Sequence, residues 1–496
     1  NWANSSGLAL QYSRSAEFFS DNAYNPTGVS FYPEMTGVLT PETSAMSGGL
    51  WGTWYTTVYG ANLILEGLPD APGITDEAVR NAYMGAALTI RAGAHYYLAR
   101  TFGDVPINLT ADVDENSFKP RVPVAEVYAQ VIADLNEAMT LLPETSAGNK
   151  RYIDNKYIPQ ALLARVYTTM GNWAAAETAA NVVIASGKFQ LLTNLADVFY
   201  RNSNEVVSSL GNTWAFSATY QNRSLLGTGF DPVNTATQGS YPALSEDLLN
   251  SFETGDNRKT VWVNLENSGN YSNPDNRYFS IKFLNAQAGP IVPGQEQDYV
   301  FIRLAEMYLI RAEARARKTS PDLTGAASDL NLIRNRAGLA NTTATTQADL
   351  INAIIKERRV EFKSNVKVVD PVGYEELLTL MVNSAGVLTD SGTVVEEACI
   401  LGIPSIQMRH STERPQVYDV KSAIKFDPLA VNDNEAIYKK LAYLAGNQWK
   451  HILGDGKTSK RIADDLIKRL LNNSIYSHRP QDYHLPIERS YRDDGI

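Results

Sequence analysis

Apolar residues recur three and four apart over Leu50–Leu68, with Trp51, Tyr55, Val58 and Leu63 in the pattern, and this spacing predicts an amphipathic helix. Asp76–Phe102 predicts a second, longer helix. It is rich in small residues (Ala82, Gly85, Ala86, Ala87, Ala92, Ala94), which let helices approach closely. Val124–Leu142, Ile158–Met170 and Ala174–Ser186 continue the series, the last after a Gly171-Asn172-Trp173 turn. Alanine-rich helix pairs of this kind, with Tyr167 inside and a Trp at the turn, predict a tetratricopeptide-like stack of irregular period. Residues 196–298 break the pattern. Gly, Asn, Ser, Thr and Pro punctuate short aromatic pieces at Trp214–Tyr220, Val261–Val263 and Tyr278–Phe283, which read as long loops with short strands. Helices return at Tyr299–Arg317, Leu323–Ala337 and Gln347–Phe362. Beyond them the short apolar runs Val366–Val369, Gly386–Leu388 and Ser405–Met408 alternate with helical Gly373–Val382 and Val394–Leu401. That alternation predicts a parallel α/β sheet. Two further helical stretches follow, Asn434–Ala445 and Ser459–Leu471. The boundary falls at 362–366, giving a mainly α domain over 1–362 with an irregular insertion at 196–298, then an α/β domain over 366–496.

Composition narrows the function. A net charge of -10 over 496 residues, with no dense Lys/Arg run, argues against nucleic acid as partner. The 26 Tyr outnumber the 15 Phe, and there are 7 Trp. Such rings offer an apolar face beside a polar handle, a combination that suits sugars as well as protein cores. Cys399 is the single cysteine, and His95, His410, His451, His478 and His484 are scattered. This leaves no disulfide within the chain, no metal site of zinc type and no cofactor to predict. No apolar run approaches the ~20 residues of a membrane span. The opening Asn1-Trp2-Ala3-Asn4 has no signal-peptide character, so either there was no signal peptide or the numbering starts after one.

Through the helical part, motifs stand in a fixed order. Trp51, Tyr55 and Asn62 are followed by Ile90-Arg91-Ala92, Tyr96-Tyr97-Leu98 and Phe102-Gly103-Asp104-Val105-Pro106. Next come Asp134-Leu135-Asn136-Glu137-Ala138, Ala161-Leu162-Leu163-Ala164-Arg165-Val166-Tyr167, and Phe252 with Asp256 and Arg258. Ile302-Arg303-Leu304-Ala305-Glu306-Met307-Tyr308, Asp329-Leu330-Asn331, Arg334-x-Arg336-Ala337-Gly338 and Glu357-Arg358-Arg359-x-Glu361-Phe362 close the series. Across about 360 residues this resembles the SusD/RagB-like nutrient-binding proteins. The resemblance implies a surface-exposed outer-membrane lipoprotein that captures glycans or peptides, hands them to a SusC-like TonB-dependent transporter and catalyses nothing. Two departures stand out: a lipid-bearing cysteine is missing, Cys399 being far too late in the chain, and the family continues well past the Glu361-Phe362 motif. Any membrane attachment would run through that lipid anchor, which this chain lacks.

The motif residues read as structural, with Arg303, Glu306, Arg311 and Glu313 at helical spacings suited to ion pairs. Family ligand sites use rings on variable loops, so no fixed position carries over. The residues themselves nominate Trp214, Tyr220, Trp262, Tyr271 and Tyr278 in the irregular segment as glycan contacts, since loops on a rigid scaffold carry function. The competing reading is that these rings pin long loops to the helices.

After Phe362, Thr389-Asp390-Ser391-Gly392-Thr393-Val394-Val395-Glu396-Glu397-Ala398, Gly402-Ile403-Pro404 and Arg409 with Thr412-Glu413-Arg414-Pro415 resemble the UDP-N-acetylglucosamine 2-epimerases. A strand running into a tight turn and a helix start is a ready phosphate cradle. The resemblance implies a half GT-B, Rossmann-like domain. Ser391 and Gly392 would hold the pyrophosphate, Glu397 the ribose hydroxyls and Arg414 the phosphates. Thr393 stands where many members have glycine. The family's acid/base carboxylates come mostly from a half with no counterpart in residues 1–365, so no catalytic residue is nominated.

Three functions compete: a glycan-binding protein with an epimerase-like passenger, a UDP-N-acetylglucosamine 2-epimerase-like enzyme with a UDP-sugar as partner, and a helical protein-interaction scaffold. The aromatic middle favours the first over the third, and the absent half counts against the second. The compartments conflict, cell surface for one part and cytoplasm for the other. The junction falls between motifs, which points to a gene fusion, an assembly error or an engineered chimera.

Overall fold

Several helix starts are marked by a capping side chain: Asp76, Asn172, Ser245 and Asp322 each accept from a backbone N–H of the first turn. The computed structural model describes residues 23–24, 49–146, 148, 150–151, 154–210, 243–266, 277–280, 282, 297–362, 381, 386–389, 392–407, 416–425 and 443–444. The chain splits into two compact units, Asn1–Asp370 and Pro371–Ile496. In the first, β1 (Ala23–Tyr24) precedes α1 (Gly52–Gly67) and α2 (Glu77–Phe102). Asp76 caps α2 by accepting from the backbone N–H groups of Ala78 and Val79, and Gly103, at φ 71°, ends it in a conformation that favours glycine. The one-turn α3 (Val113–Ser117), α4 (Val124–Leu141), α5 (Tyr157–Thr169) and α6 (Trp173–Ala185) follow. After them come β2 (Val206–Leu210), β3 (Ala243–Leu244), α7 (Glu246–Ser251), α8 (Asn257–Trp262), β4 (Val263–Glu266), β5 (Arg277–Ser280) and β6 (Tyr299–Arg303). The unit closes with α9 (Leu304–Arg317), α10 (Leu323–Arg336) and α11 (Gln347–Phe362).

Helix packs on helix: α1 on α2, α2 on α4, α5 on α6, α6 on α9, α9 on α10 and α11. Trp54, Tyr96, Leu98, Val131, Leu135, Leu162, Met307 and Ile310 share the main core. The other side of α9 buries Ala305, Leu309 and Ala312 against Leu330, Ile333, Leu350 and Ile354. Buried on both sides, α9 needs small residues, which is why alanine dominates it. The close approach predicted for α2 is seen at Gly85, where a Cβ would lie 2.7 Å from Leu142 Cγ.

Two predicted elements are corrected. Tyr299–Arg317 is not one helix. Its first five residues form β6, paired antiparallel with β2. The β-branched and aromatic Tyr-Val-Phe-Ile run finds a strand partner, and that pairing overrides the helical continuation. Val261 and Trp262 belong to α8, with the strand beginning at Val263 and pairing antiparallel with β5. The predicted strands Trp214–Tyr220 and Val366–Val369, and the helix Ser459–Leu471, lie outside the described residues, as do nearly all of Gly373–Val382 and Asn434–Ala445.

The ion pairs also go elsewhere than along the helix. Arg303 pairs with Glu205 on one side and Glu361 on the other, Glu306 binds Arg165 of α5, and Arg311 forks onto Asp329 of α10. Among these four residues only Glu313 keeps an i,i+4 partner, Arg317. These charges staple neighbouring elements together across the stack.

The second unit is described more sparsely. Strands β7 (Val387–Thr389), β8 (Ser405–Gln407) and β9 (Ala423–Lys425) form a parallel sheet in that order, with Val387, Ser405 and Ala423 in register. The predicted parallel sheet is therefore present. α12 (Gly392–Leu401) crosses from β7 to β8, and the single turn α13 (Gln416–Asp419) precedes β9. Val395 and Cys399 of α12 pack on Val417 and Ala423.

Candidate functional site

The five nominated rings do not share one surface among the described residues. Trp214, Tyr220 and Tyr271 lie outside them. Trp262 is 1% exposed, donates from Nε1 to the Leu195 carbonyl at 3.0 Å and meets the Phe199 ring edge-on at 5.5 Å. The Lys282 ammonium sits 4.5 Å from its centroid. A ring spent this way has no face left for a sugar, so Trp262 is corrected from ligand contact to loop pin. Tyr278, on β5, is half-buried against Leu244, Leu248, Phe252, Val263 and Val360, a different cluster from that of Trp262.

The family motifs converge instead on the segment after α2. Tyr55 Oη donates to the Pro106 carbonyl at 2.8 Å, and burial raises its pKa, keeping the phenol protonated. Asn62 Nδ2 donates to the carbonyls of Asn108 and Thr110, 3.1 and 2.8 Å away. Arg91 forks onto Asp134 of α4 with two 2.8 Å bonds and reaches Asn62 Oδ1 at 3.0 Å. His95 Nε2 accepts from the Asn108 N–H at 3.3 Å, which leaves the ring proton on Nδ1 to donate to the Arg91 carbonyl at 3.1 Å. Burial pushes the His95 pKa down to about 4, so the ring is neutral near pH 7. At the far end of the loop, Arg121 lies 4.9 Å over the Trp51 ring, and Val122 bridges back to Val105. Asn62, Arg91 and His95 are buried, and together with Trp51 and Tyr55 they fix both ends of the loop 103–123 on the helical stack.

In the second unit, Ser391 and Arg414 lie outside the described residues. Gly392 opens α12 directly after β7, and Glu397 stands half-buried in the second turn of the same helix. In the chain, α12 follows the carboxyl end of the parallel strand β7. Gln407, at the carboxyl end of β8, is buried and receives a hydrogen bond from Tyr418 Oη. Among the described residues no group of three or more His, Cys, Asp or Glu could hold a metal ion.

Three family profiles match. The one described as the SusD family covers residues 188–365, and "Starch-binding associating with outer membrane" covers residues 14–168. UDP-N-acetylglucosamine 2-epimerase covers residues 317–467. The overlap at 317–365 falls on α10 and α11, which pack on α9 and so lie inside the first unit. A SusD-like protein of Bacteroides ovatus is 26% identical over 387 residues, 69% of this chain and 67% of that relative. A UDP-N-acetylglucosamine 2-epimerase of Methanocaldococcus jannaschii is 40% identical over 117 residues, 22% of this chain and 31% of that enzyme. The chain thus spans about a third of the epimerase relative. Among solved structures, a SusD superfamily protein of Bacteroides thetaiotaomicron superposes with a TM-score of 0.60 at 22% identity, covering 74% of this chain and 86% of that one. A laminarin-binding SusD-like protein superposes with a TM-score of 0.59 at 20% identity, covering 80% and 92%. The chain is SusD/RagB-like over most of its length, and it is joined to a C-terminal segment resembling UDP-N-acetylglucosamine 2-epimerase.

Proposed function

We propose that this chain captures a glycan or oligosaccharide at the outer-membrane surface for a SusC-type TonB-dependent transporter, with the C-terminal segment as a passenger. The observation that carries this reading is that a SusD-type scaffold, matched over 14–168 and 188–365, spends its motif residues on internal clamps. Recognition is then left to the loops the scaffold holds. The relatives supply the ligand class: one structural neighbour is described as laminarin-binding, another as a surface glycan-binding protein. The test is affinity electrophoresis of the purified chain in gels cast with a panel of polysaccharides. Retardation by at least one supports the reading, and unchanged mobility with every one refutes it.

The strand-to-helix start at Gly392 with Glu397 supports a second, narrower proposal. The C-terminal segment would retain a weak site for the diphosphate of a UDP-sugar without turning it over. Formation of UDP-N-acetylmannosamine by the pure chain would overturn the second half of that statement.

A further inference from the structure

The buried arginines of the first unit follow one rule, and one of them breaks it. Among the described residues Arg91, Arg151, Arg258 and Arg303 are buried, none more than 8% exposed. Arg91 and Arg258, like the less buried Arg165 and Arg311, lay the Nε/Nη2 edge on a carboxylate with paired bonds of 2.5–2.9 Å. Arg303 ends on Glu205 and Glu361. Arg151, in the connection between α4 and α5, has no ion-pair partner among the described residues. Its Nη2 meets the Lys188 carbonyl at 3.5 Å and Asn204 Oδ1 at 3.4 Å, both at the outer limit of a hydrogen bond. Its Nε is sealed from water with no partner, while Nη1 is not sealed and makes no hydrogen bond within the described residues. Burial pulls this guanidinium below its ordinary range and nothing raises it back. At Arg258 burial acts the same way and is outweighed by Asp256, Glu357 and Glu361.

The carboxylates on the same segments are committed elsewhere or stand apart. Glu144 is taken by Tyr157, Lys156 and Lys188, and Glu205, next to Asn204 in the chain, is held by Arg303 and Arg336. Asp154, three residues after Arg151, makes no hydrogen bond or ion pair within the described residues. Burial alone pushes its carboxyl up to about 7, with no arginine pulling it down. An uncompensated buried charge is costly, so the guanidinium calls for an anion from outside these groups. The Phe189 ring lies 4.9 Å from the guanidinium carbon and covers one of its flat faces, and Tyr157 meets that ring edge-on at 6.0 Å. What stays open is an edge of donors. Asn204 is exposed, and Nδ2 of the carboxamide that touches Nη2 makes no hydrogen bond within the described residues. A neutral hydroxyl would leave the charge uncompensated. An oxyanion matches the Nη1/Nη2 fork in both shape and charge.

We propose that Arg151, with Asn204 beside it, is a subsite for an oxyanion carried on a glycan, either the carboxylate of a uronate or a sulfate ester. This rests on the glycan-capture reading, and the test separates the two. Calorimetry at low salt compares polygalacturonate with its methyl ester, and dextran sulfate with dextran, on the full chain and on Arg151→Met. The native chain is expected to bind at least one charged polymer roughly 10-fold more tightly than its uncharged counterpart, the scale of one charged hydrogen bond. Arg151→Met erases that preference. A preference for polygalacturonate alone assigns a carboxylate, and one for dextran sulfate alone a sulfate ester. The thermal melt of Arg151→Met stays level or rises, because no carboxylate is stranded, whereas Arg91→Met strands Asp134 and lowers it. A native chain that binds polysaccharide with no preference for charge, or a preference that survives in Arg151→Met, overturns the subsite and leaves the glycan reading standing. A chain that binds no polysaccharide at all overturns both. A melt lowered in Arg151→Met as far as in Arg91→Met would reveal an internal partner for Arg151 and overturn the subsite.

Discussion

Replacing Glu361 with glutamine removes one charge and almost no volume from the centre of the first unit's ionic network. Glu361 is fully buried at the end of α11. Its carboxylate accepts from Arg258 at 3.0 Å, Arg303 at 2.7 Å and Arg336 at 2.6 Å, while its backbone carbonyl accepts from Lys282. In the surrounding network Arg258, Lys282, Arg303, Arg334 and Arg336 stand against Glu205, Glu253, Asp256, Glu357 and Glu361, and the exposed Lys356 also reaches Glu253. Burial pushes the Glu361 carboxyl up, but the guanidiniums of Arg336, Arg303 and Arg258 more than reverse this and hold it well below the usual range. Neighbouring Glu357 goes the other way, because for it burial outweighs Arg258. Leaving a buried charge uncompensated costs about 3–5 kcal/mol, a large part of the ~5–15 kcal/mol by which a domain is stable. Glu361→Gln is therefore expected to lose about that much, and Glu357→Gln distinctly less. Urea titrations at pH 7 followed by tryptophan fluorescence measure both, as a fall in midpoint at unchanged slope. A loss below about 1 kcal/mol for Glu361→Gln, or a larger loss for Glu357→Gln, would refute the reasoning.

Three further outcomes follow from the geometry. Because the His95 pKa is about 4 when folded and about 6.5 when unfolded, the unfolded chain binds more protons between those values. The neutral ring's contribution is whole above about pH 6.5 and drains away, by roughly 3 kcal/mol, as the pH falls to about 4. A His95→Gln variant should show a flatter pH–stability curve in that window, and an equally steep one would contradict the assignment. Gly85→Ala drives a Cβ to 2.7 Å from Leu142 Cγ, so overpacking should cost about 1–3 kcal/mol, read by thermal melt. Trp262→Ala empties a buried site and should cost about 3–5 kcal/mol of stability while leaving glycan affinity within twofold below the melt. A normal melt with lost binding would return Trp262 to the ligand site.

The helical series was legible because its signal is local: alanine at the contacts, Asp76, Asn172 and Asp322 at the caps, apolar residues at three and four. β6 was not, because Tyr299–Arg303 is a short apolar run whose state is decided by its distant partner β2. Arg303, Glu306 and Arg311 were visible as charges at helical spacing, but spacing along one helix cannot show that their partners sit on α5, α10 and α11. Trp262 misled for a related reason. A ring in a loop-rich segment reads the same whether it faces solvent or donates inward to Leu195.

Limited proteolysis with mass spectrometry, run alone, with the polysaccharide panel and with UDP, bears most directly on glycan capture by the helical unit. The account predicts a resistant fragment ending between residues 362 and 370, with cleavage in it slowed further by at least one polysaccharide and unaffected by UDP. Protection of C-terminal peptides by UDP, with no polysaccharide slowing cleavage anywhere in the helical unit, would contradict it.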